Sequence, residues 1–238
     1  NLYPADYADA AKANTARMAS VGLDGVDSWG ADGLSLDDGM VYWSDPDDGA
    51  GATFADNMGE LGDKIVVTQL TIETGLEFSA TMNAQGMGQT MDRPDMEWRD
   101  LGLSWKHDCG TMNSCKYVVS TEILEFAVDG AGVDGLSGYT TYRLALTLGE
   151  HAVNVYSIFG NSESALQMPP AWQYSGERLL DANIGGSVDA ETALGAGVAY
   201  DSFLTVGATS GNLYPADYAD AAKANTARMT GAGLDGVD

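Results

Sequence analysis

The side chains of this chain with the types and spacing to do chemistry are carboxylates set among glycines. In "SDPDDGAG", Asp45, Asp47 and Asp48 stand beside Gly49 and Gly51. A tight turn there would aim several hard oxygens at one ion, which is what calcium coordination needs. The run is not an EF-hand loop, because its glycine falls one residue early. "LDGVDSWGADG" has the same character with Asp24, Asp27 and Asp32, and "VDGAGVDG" with Asp129 and Asp134. The expectation is a structural calcium site drawn from Asp45, Asp47, Asp48, Asp24, Asp27 and Asp32. The plainer reading is that Asp and Gly are the ordinary residues of turns.

Two cysteines, Cys109 and Cys115, stand with five residues between them in "HDCGTMNSC". Their isolation and spacing suggest a small local disulfide formed in an oxidising compartment, with a pair of free thiols as the alternative. Zinc would lack two ligands, since only His107 is near. Of the five tryptophans, Trp43 and Trp105 fall in apparent strands and read as core. Trp172, after "MPP" in a loop, is the candidate for an exposed ligand contact, as in a sugar-stacking platform.

Catalytic patterns are missing. His107 and His151 are the only histidines, and no G-x-S-x-G elbow, H-E-x-x-H or phosphate-binding loop occurs. His151, in "LGEHAVNVY", reads as a turn residue. Carboxylates are too abundant for any pair to be nominated as a glycosidase couple. The chain is read as non-enzymatic. The only variant of an N-glycosylation acceptor is "NSC" at Asn113.

Acidic residues number 35 against 11 Lys plus Arg, a formal net charge of −24. Phosphate backbones and anionic membrane surfaces would repel such a chain. A self-screening acidic surface suits salty surroundings. No apolar run is long enough for a membrane helix. With 45% apolar residues and 30 glycines, the composition is that of a folded, turn-rich protein.

The positions of these residues follow from a repeat. Asn1–Met18 recurs letter for letter as Asn212–Met229, a displacement of 211 residues, and "GLDGVD" at Gly22–Asp27 returns as Gly233–Asp238. Over this stretch 24 of 27 positions match, and only Ala19-Ser20-Val21 against Thr230-Gly231-Ala232 differ. Such identity marks tandem duplication with a domain-sized period. The chain is therefore read as a window on a longer array. The repeated segment reads as an Ala-rich helix: Pro4 and Asp6 suit its first turn, Arg17 its last, and Tyr3, Tyr7, Ala11 and Met18 fall near one face.

Elsewhere the pattern has period two. Leu76, Phe78, Ala80, Met82 and Ala84 alternate with polar residues, as do Tyr142, Leu144, Leu146 and Leu148. Further strands are expected at Met40–Ser44, Lys64–Ile72, Val118–Val128, Val153–Phe159 and Ser202–Val206. The fold expected is mainly β, a β-sandwich or jelly-roll-like domain with one Ala-rich helix per repeat.

"TTYRLALTL", "VNVYSIFG", "MPPAWQ", "NIGG" and "YDSFLTVG" occur in that order, and "DDG", "VYW", "DPDDGAG", "VTQLTI", "GLEFSATMNAQG" and "GLSW" precede them. Together they resemble a β-rich module of large secreted tandem-repeat surface and fibre proteins of aquatic microbes, algae and marine bacteria among them. The module usually has Trp where this chain has Phe203, and the helix is an insertion. Here the closing motifs come first, over about three quarters of the period. The resemblance therefore implies a permuted register. Residues 1–27 start a repeat, 28–106 form the C-terminal part of one module, 107–117 a Cys loop or linker, 118–211 the N-terminal part of the next, and 212–238 the start of another repeat.

The resemblance implies an extracellular location and carries no catalytic residues. The function expected is a structural repeat of a long extracellular filament or surface appendage, with copies of itself along the chain and laterally as partners. A flagellar hair or sheath fibre fits this in an alga. The alternative is a calcium-dependent, carbohydrate-binding adhesin repeat.

Overall fold

The computed structural model describes residues 18–51, 64–90, 93–107, 117–133, 135–174, 184, 187–188 and 196–211. The Ala-rich segment, Cys109 and Cys115 lie outside them, as do residues 212–238.

The strands, in chain order, are β1 (Met18–Val21), β2 (Leu34–Leu36), β3 (Gly39–Trp43), β4 (Ala50–Gly51), β5 (Lys64–Glu73), β6 (Ser79–Thr90), β7 (Arg93–Lys106) and β8 (Val118–Ala127). They continue with β9 (Tyr139–Leu148), β10 (Asn154–Val155), β11 (Ser157–Gly160), β12 (Leu166–Met168), β13 (Ser187–Val188), β14 (Phe203–Leu204) and β15 (Ser210–Gly211). One short helix, α1 (Trp29–Asp32), precedes β2. The fold is mainly β, as the alternation predicts.

Among the described residues two large sheets form. In one, β6 is central, with β7 on one side and β11 and β12 on the other. β11 and β12 act as one interrupted strand, and β3 and β2 lie beside them in the same way, with β1 beyond β3. The second sheet has the order β14-β5-β9-β8. The two sheets are tied by indoles. Trp43 Nε1 donates to Val206 O at 2.9 Å, and Trp105 Nε1 donates to Ala145 O at 3.1 Å. Trp43, Trp105, Ile65, Leu70, Met82 and Leu103 are among the most completely buried side chains between them. Each such side chain contributes about 1.5–3 kcal/mol by leaving water.

The strands of 28–106 and of 118–211 interleave. β11 lies between β3 and β6, while β5 lies between β14 and β9. Within this chain, therefore, the segments assigned by the motif order to successive modules complete one sandwich. The passage from β7 to β8 is clamped: the buried Asp100 on β7 accepts the N–H groups of Tyr117 and Val118, each at 2.8 Å. Thr121 on β8 also donates to Ser104 O at 2.9 Å.

Several boundaries differ from the sequence expectation. β6 begins at Ser79, not Leu76, because Leu76 and Glu77 are exposed in the loop before it. The Val153–Phe159 strand is broken at Tyr156 into β10 and β11. Of β7 only the surroundings of Trp105 read as a strand in the sequence, with no bounds. Its buried residues run Trp98 and Asp100, then Leu103 and Trp105, so the alternation changes phase in the middle. The cause is a bulge: Met82 pairs with Leu103 but Ala84 with Asp100. Gly102 sits there at φ 68°, and its N–H donates to the Asn83 side chain at 2.9 Å. A bulged strand of this kind defeats a period-two reading.

Candidate functional sites

The aspartates read as calcium ligands occupy turns. Asp45 caps the 3₁₀ turn Pro46–Asp48, its Oδ1 accepting from Asp47 N at 3.1 Å. The turn is pinned from the core side by Asn154, whose amide donates to Pro46 O at 2.8 Å while its oxygen accepts from Met87 N at 2.9 Å. Asp45 and Asp47 face solvent. Gly49 is required at this corner, since a Cβ there would stand 2.6 Å from Val155 O. Asp24 and Asp32 are also exposed, Asp32 on α1, with the 3₁₀ turn Val26–Ser28 between them. The side chains of Asp27 and Asp48 lie outside the description, as does Asp134. Asp129 is engaged locally, its Oδ1 accepting from Gly138 N at 2.7 Å. Among the described residues no three His, Cys, Asp or Glu side chains gather into a metal-sized group.

His107 stacks on Phe78 at 5.1 Å and meets Tyr142 edge-on at 4.9 Å. His151 is an exposed turn residue beside Glu150. Two phenols titrate away from neutrality. Burial first, then Glu125, raises Tyr142 against a lowering hydrogen bond from Thr140. Burial first, then Glu97, raises Tyr156. Both shifts run opposite to what a general base at neutral pH needs.

The densest polar arrangement is one the sequence reading did not single out. The apolar run of β5 is interrupted by Thr68, Gln69 and Thr71, all fully buried. They are met by the "YDSF" motif. Thr68 Oγ1 donates to Phe203 O at 2.8 Å, and Gln69 Nε2 donates to Asp201 O at 2.8 Å and Ala199 O at 3.1 Å. Gln69 Oε1 accepts from Arg143 Nε at 3.1 Å. Thr71 Oγ1 donates to Tyr200 O and accepts from Thr141 at 2.7 Å.

Beyond Leu204 backbone bonds still reach β5, from Thr205 N to Val67 O and Gly207 N to Val66 O, but before Phe203 side chains take over the ladder. Ser202 Oγ accepts Thr71 N at 3.0 Å and donates to Trp172 O at 2.7 Å, and Trp172 N donates to Thr71 O at 2.7 Å. The fully buried Asp201 closes the arrangement, its Oδ1 accepting from Tyr174 N and Ser202 N, each at 2.9 Å. "VTQLTI", "MPPAWQ" and "YDSFLTVG" are thus the parts of a single polar lock. Asp, Ser, Thr and Gln recur in them because buried polar groups must find partners.

Trp172 is half-buried, its ring 6.3 Å from that of Tyr174. It helps line a cavity of about 420 Å³ that lies over the end of β5. The sequence signal for that cavity was the Pro-Pro-Ala-Trp-Gln loop, of which only Trp172 was singled out.

The chain matches no protein-family model, no curated protein and no solved structure.

Proposed function

We propose that this chain is a structural repeat of a long extracellular filament or surface appendage, non-enzymatic, whose partners are further copies of itself along the chain and beside it. The recurrence of 24 of 27 residues at a displacement of 211 carries this reading. A period of that length holds a whole sandwich, so the repeats are domains in series, suited to spacing and load. The net charge of −24 fits surfaces that stay dissolved in salt. An oxidising exterior fits the Cys109–Cys115 pairing read from the sequence. A flagellar hair or sheath fibre is the form this takes in an alga. Electron microscopy of the native material tests the reading. An ordered fibre with a constant axial repeat is the expected result, and isolated beads on a slack thread would contradict it.

Calcium is proposed as a stabilising ion for this repeat, and it would be the ligand-binding element of the alternative, a calcium-dependent adhesin. The Asp45–Gly49 turn favours it, since its exposed carboxylates stand on a backbone held rigid by Asn154. An ion at about 100 times its dissociation constant would add about 2.7 kcal/mol to stability. The melting temperature is therefore expected to fall when chelator replaces calcium. An unchanged transition would remove calcium from the account.

A further inference from the structure

We propose that the groove beside the Trp172 loop is a binding site for a neutral, hydroxyl-rich ligand, a carbohydrate chain, recognised through Gln173 and Trp172. The groove has two lobes that share Leu76 and Pro170 as their dividing wall. One measures about 420 Å³ and the other about 480 Å³. Both lie in the range of sites that hold small ligands. Leu76 is half exposed at the divide, although it belongs to a motif whose other apolar residues point into the core.

The chemistry of the walls selects the ligand. Trp172 and Tyr139 supply aromatic surface to the first lobe, with Glu73 at its edge. Asp32, Glu77 and Gln167 supply acceptors and an amide to the second. Among the described residues that line the two lobes there is no Lys, Arg or His, while Asp32, Glu73 and Glu77 are present. An anionic ligand would meet like charge from these carboxylates in a chain already at −24. Carboxylates and amides beside an aromatic ring instead match hydroxyls on an apolar ring face.

Gln173 supplies the observation that asks for a ligand. Its Nε2 and Oε1 are both buried without a hydrogen-bond partner. Buried polar groups are nearly always paired, so an amide with neither end satisfied is out of the ordinary. The residue as a whole is only half-buried and forms part of the groove wall. The inner torsions of glutamine have several staggered wells, so a change of rotamer can carry the carboxamide into the groove. A group that offers one donor and one acceptor together fits neighbouring hydroxyls, each of which donates and accepts. The unpaired amide weakens the free protein and favours the bound one.

This site does not depend on the filament reading, because one repeat binds or fails to bind whether or not it polymerises. The test titrates the full chain with cellohexaose, laminarihexaose and mannohexaose, and with an oligogalacturonate as the charged comparison, following tryptophan fluorescence. At least one neutral oligosaccharide is expected to bind with a dissociation constant on the order of 1 mM or tighter, in chelator as well as in calcium. Trp172→Ala and Gln173→Ala are expected to weaken it about tenfold or more.

Gln173→Leu separates recognition from structure. It should raise the melting temperature, because the unpaired amide is gone, and weaken binding as Gln173→Ala does. Four results would overturn the proposal: no neutral oligosaccharide binding at about 10 mM, preference for the oligogalacturonate, loss of binding in chelator, or unchanged affinity in Gln173→Leu.

Discussion

Replacing Asp201 with alanine is expected to destabilise the fold by about 4 kcal/mol, because one buried and one part-buried N–H group lose their acceptor together. Those groups belong to Tyr174 and Ser202, and the carboxylate that serves them is fully buried. Water cannot take its place without opening the segment. The effect spreads through the chain, since Ser202 holds Thr71 N and Trp172 O, and Gln69 reaches the Asp201 carbonyl. Members of such a network lose more together than their separate deletions suggest. For a domain of this size the melting temperature should fall by about 8–16 °C. Asp201→Asn keeps an acceptor at the same place and should lose much less. Urea unfolding of the two variants decides it. A loss in Asp201→Ala no larger than that of an exposed aspartate, such as Asp32→Ala, would show that the lock contributes little.

The parts of this fold that could be read in the sequence are those in which one face is apolar and the other polar. β9 and most of β6 alternate apolar with polar residues, although Asn83, Thr141 and Ala145 on the second face are buried too, and both were placed correctly apart from the start of β6. β5 was located by its apolar run, but nothing in alternation says that Thr68, Gln69 and Thr71 are as buried as Leu70. That burial depends on partners 130 residues away in the chain, which no local pattern encodes. β7 was legible only around Trp105, because one bulge at Gly102 shifts its phase, although Trp98 on the other side is as deep in the core. Trp43 and Trp105 were recognised as core for the right reason, large apolar surface in strand context. Their indole N–H bonds to the facing sheet were not visible beforehand.

The candidate sites divide in the same way. Local chemistry marked Asp45 and His151 as turn residues, and both lie in turns, Asp45 as the cap of a 3₁₀ turn that the sequence did not specify. The groove required loops from three distant parts of the chain, around Gly30, Leu76 and Trp172, and only its tryptophan stood out. All three differences between the two copies of the repeated segment, Ala19, Ser20 and Val21 against their counterparts, fall within β1. β1 ends its sheet and pairs with β3 alone among the described strands.

We propose that each copy completes its own sandwich, so that an array of repeats would be a series of closed domains. The competing register would pair residues 118–211 with 28–106 of the following copy, through the same contacts. Connection length does not separate the two. Eleven residues, 107–117, join the halves within a copy, and 27, 212–238, lead to the next. Loop closure over these lengths differs by only about 0.8 kcal/mol.

Two features favour closure within the copy. Asp100 holds Tyr117 and Val118 beside the strand that the chain has just left, so the short connection starts β8 already docked. The crossed register would also leave the first and last halves of every array with half a core exposed. Such halves associate through unpaired strand edges.

The decisive measurement is the mass in solution and the unfolding of a polypeptide of residues 18–211 alone. A monomer with one cooperative transition is the predicted result. Dimers or larger species that form because 28–106 of one molecule pairs with 118–211 of another, or a polypeptide with no cooperative transition, would contradict the account.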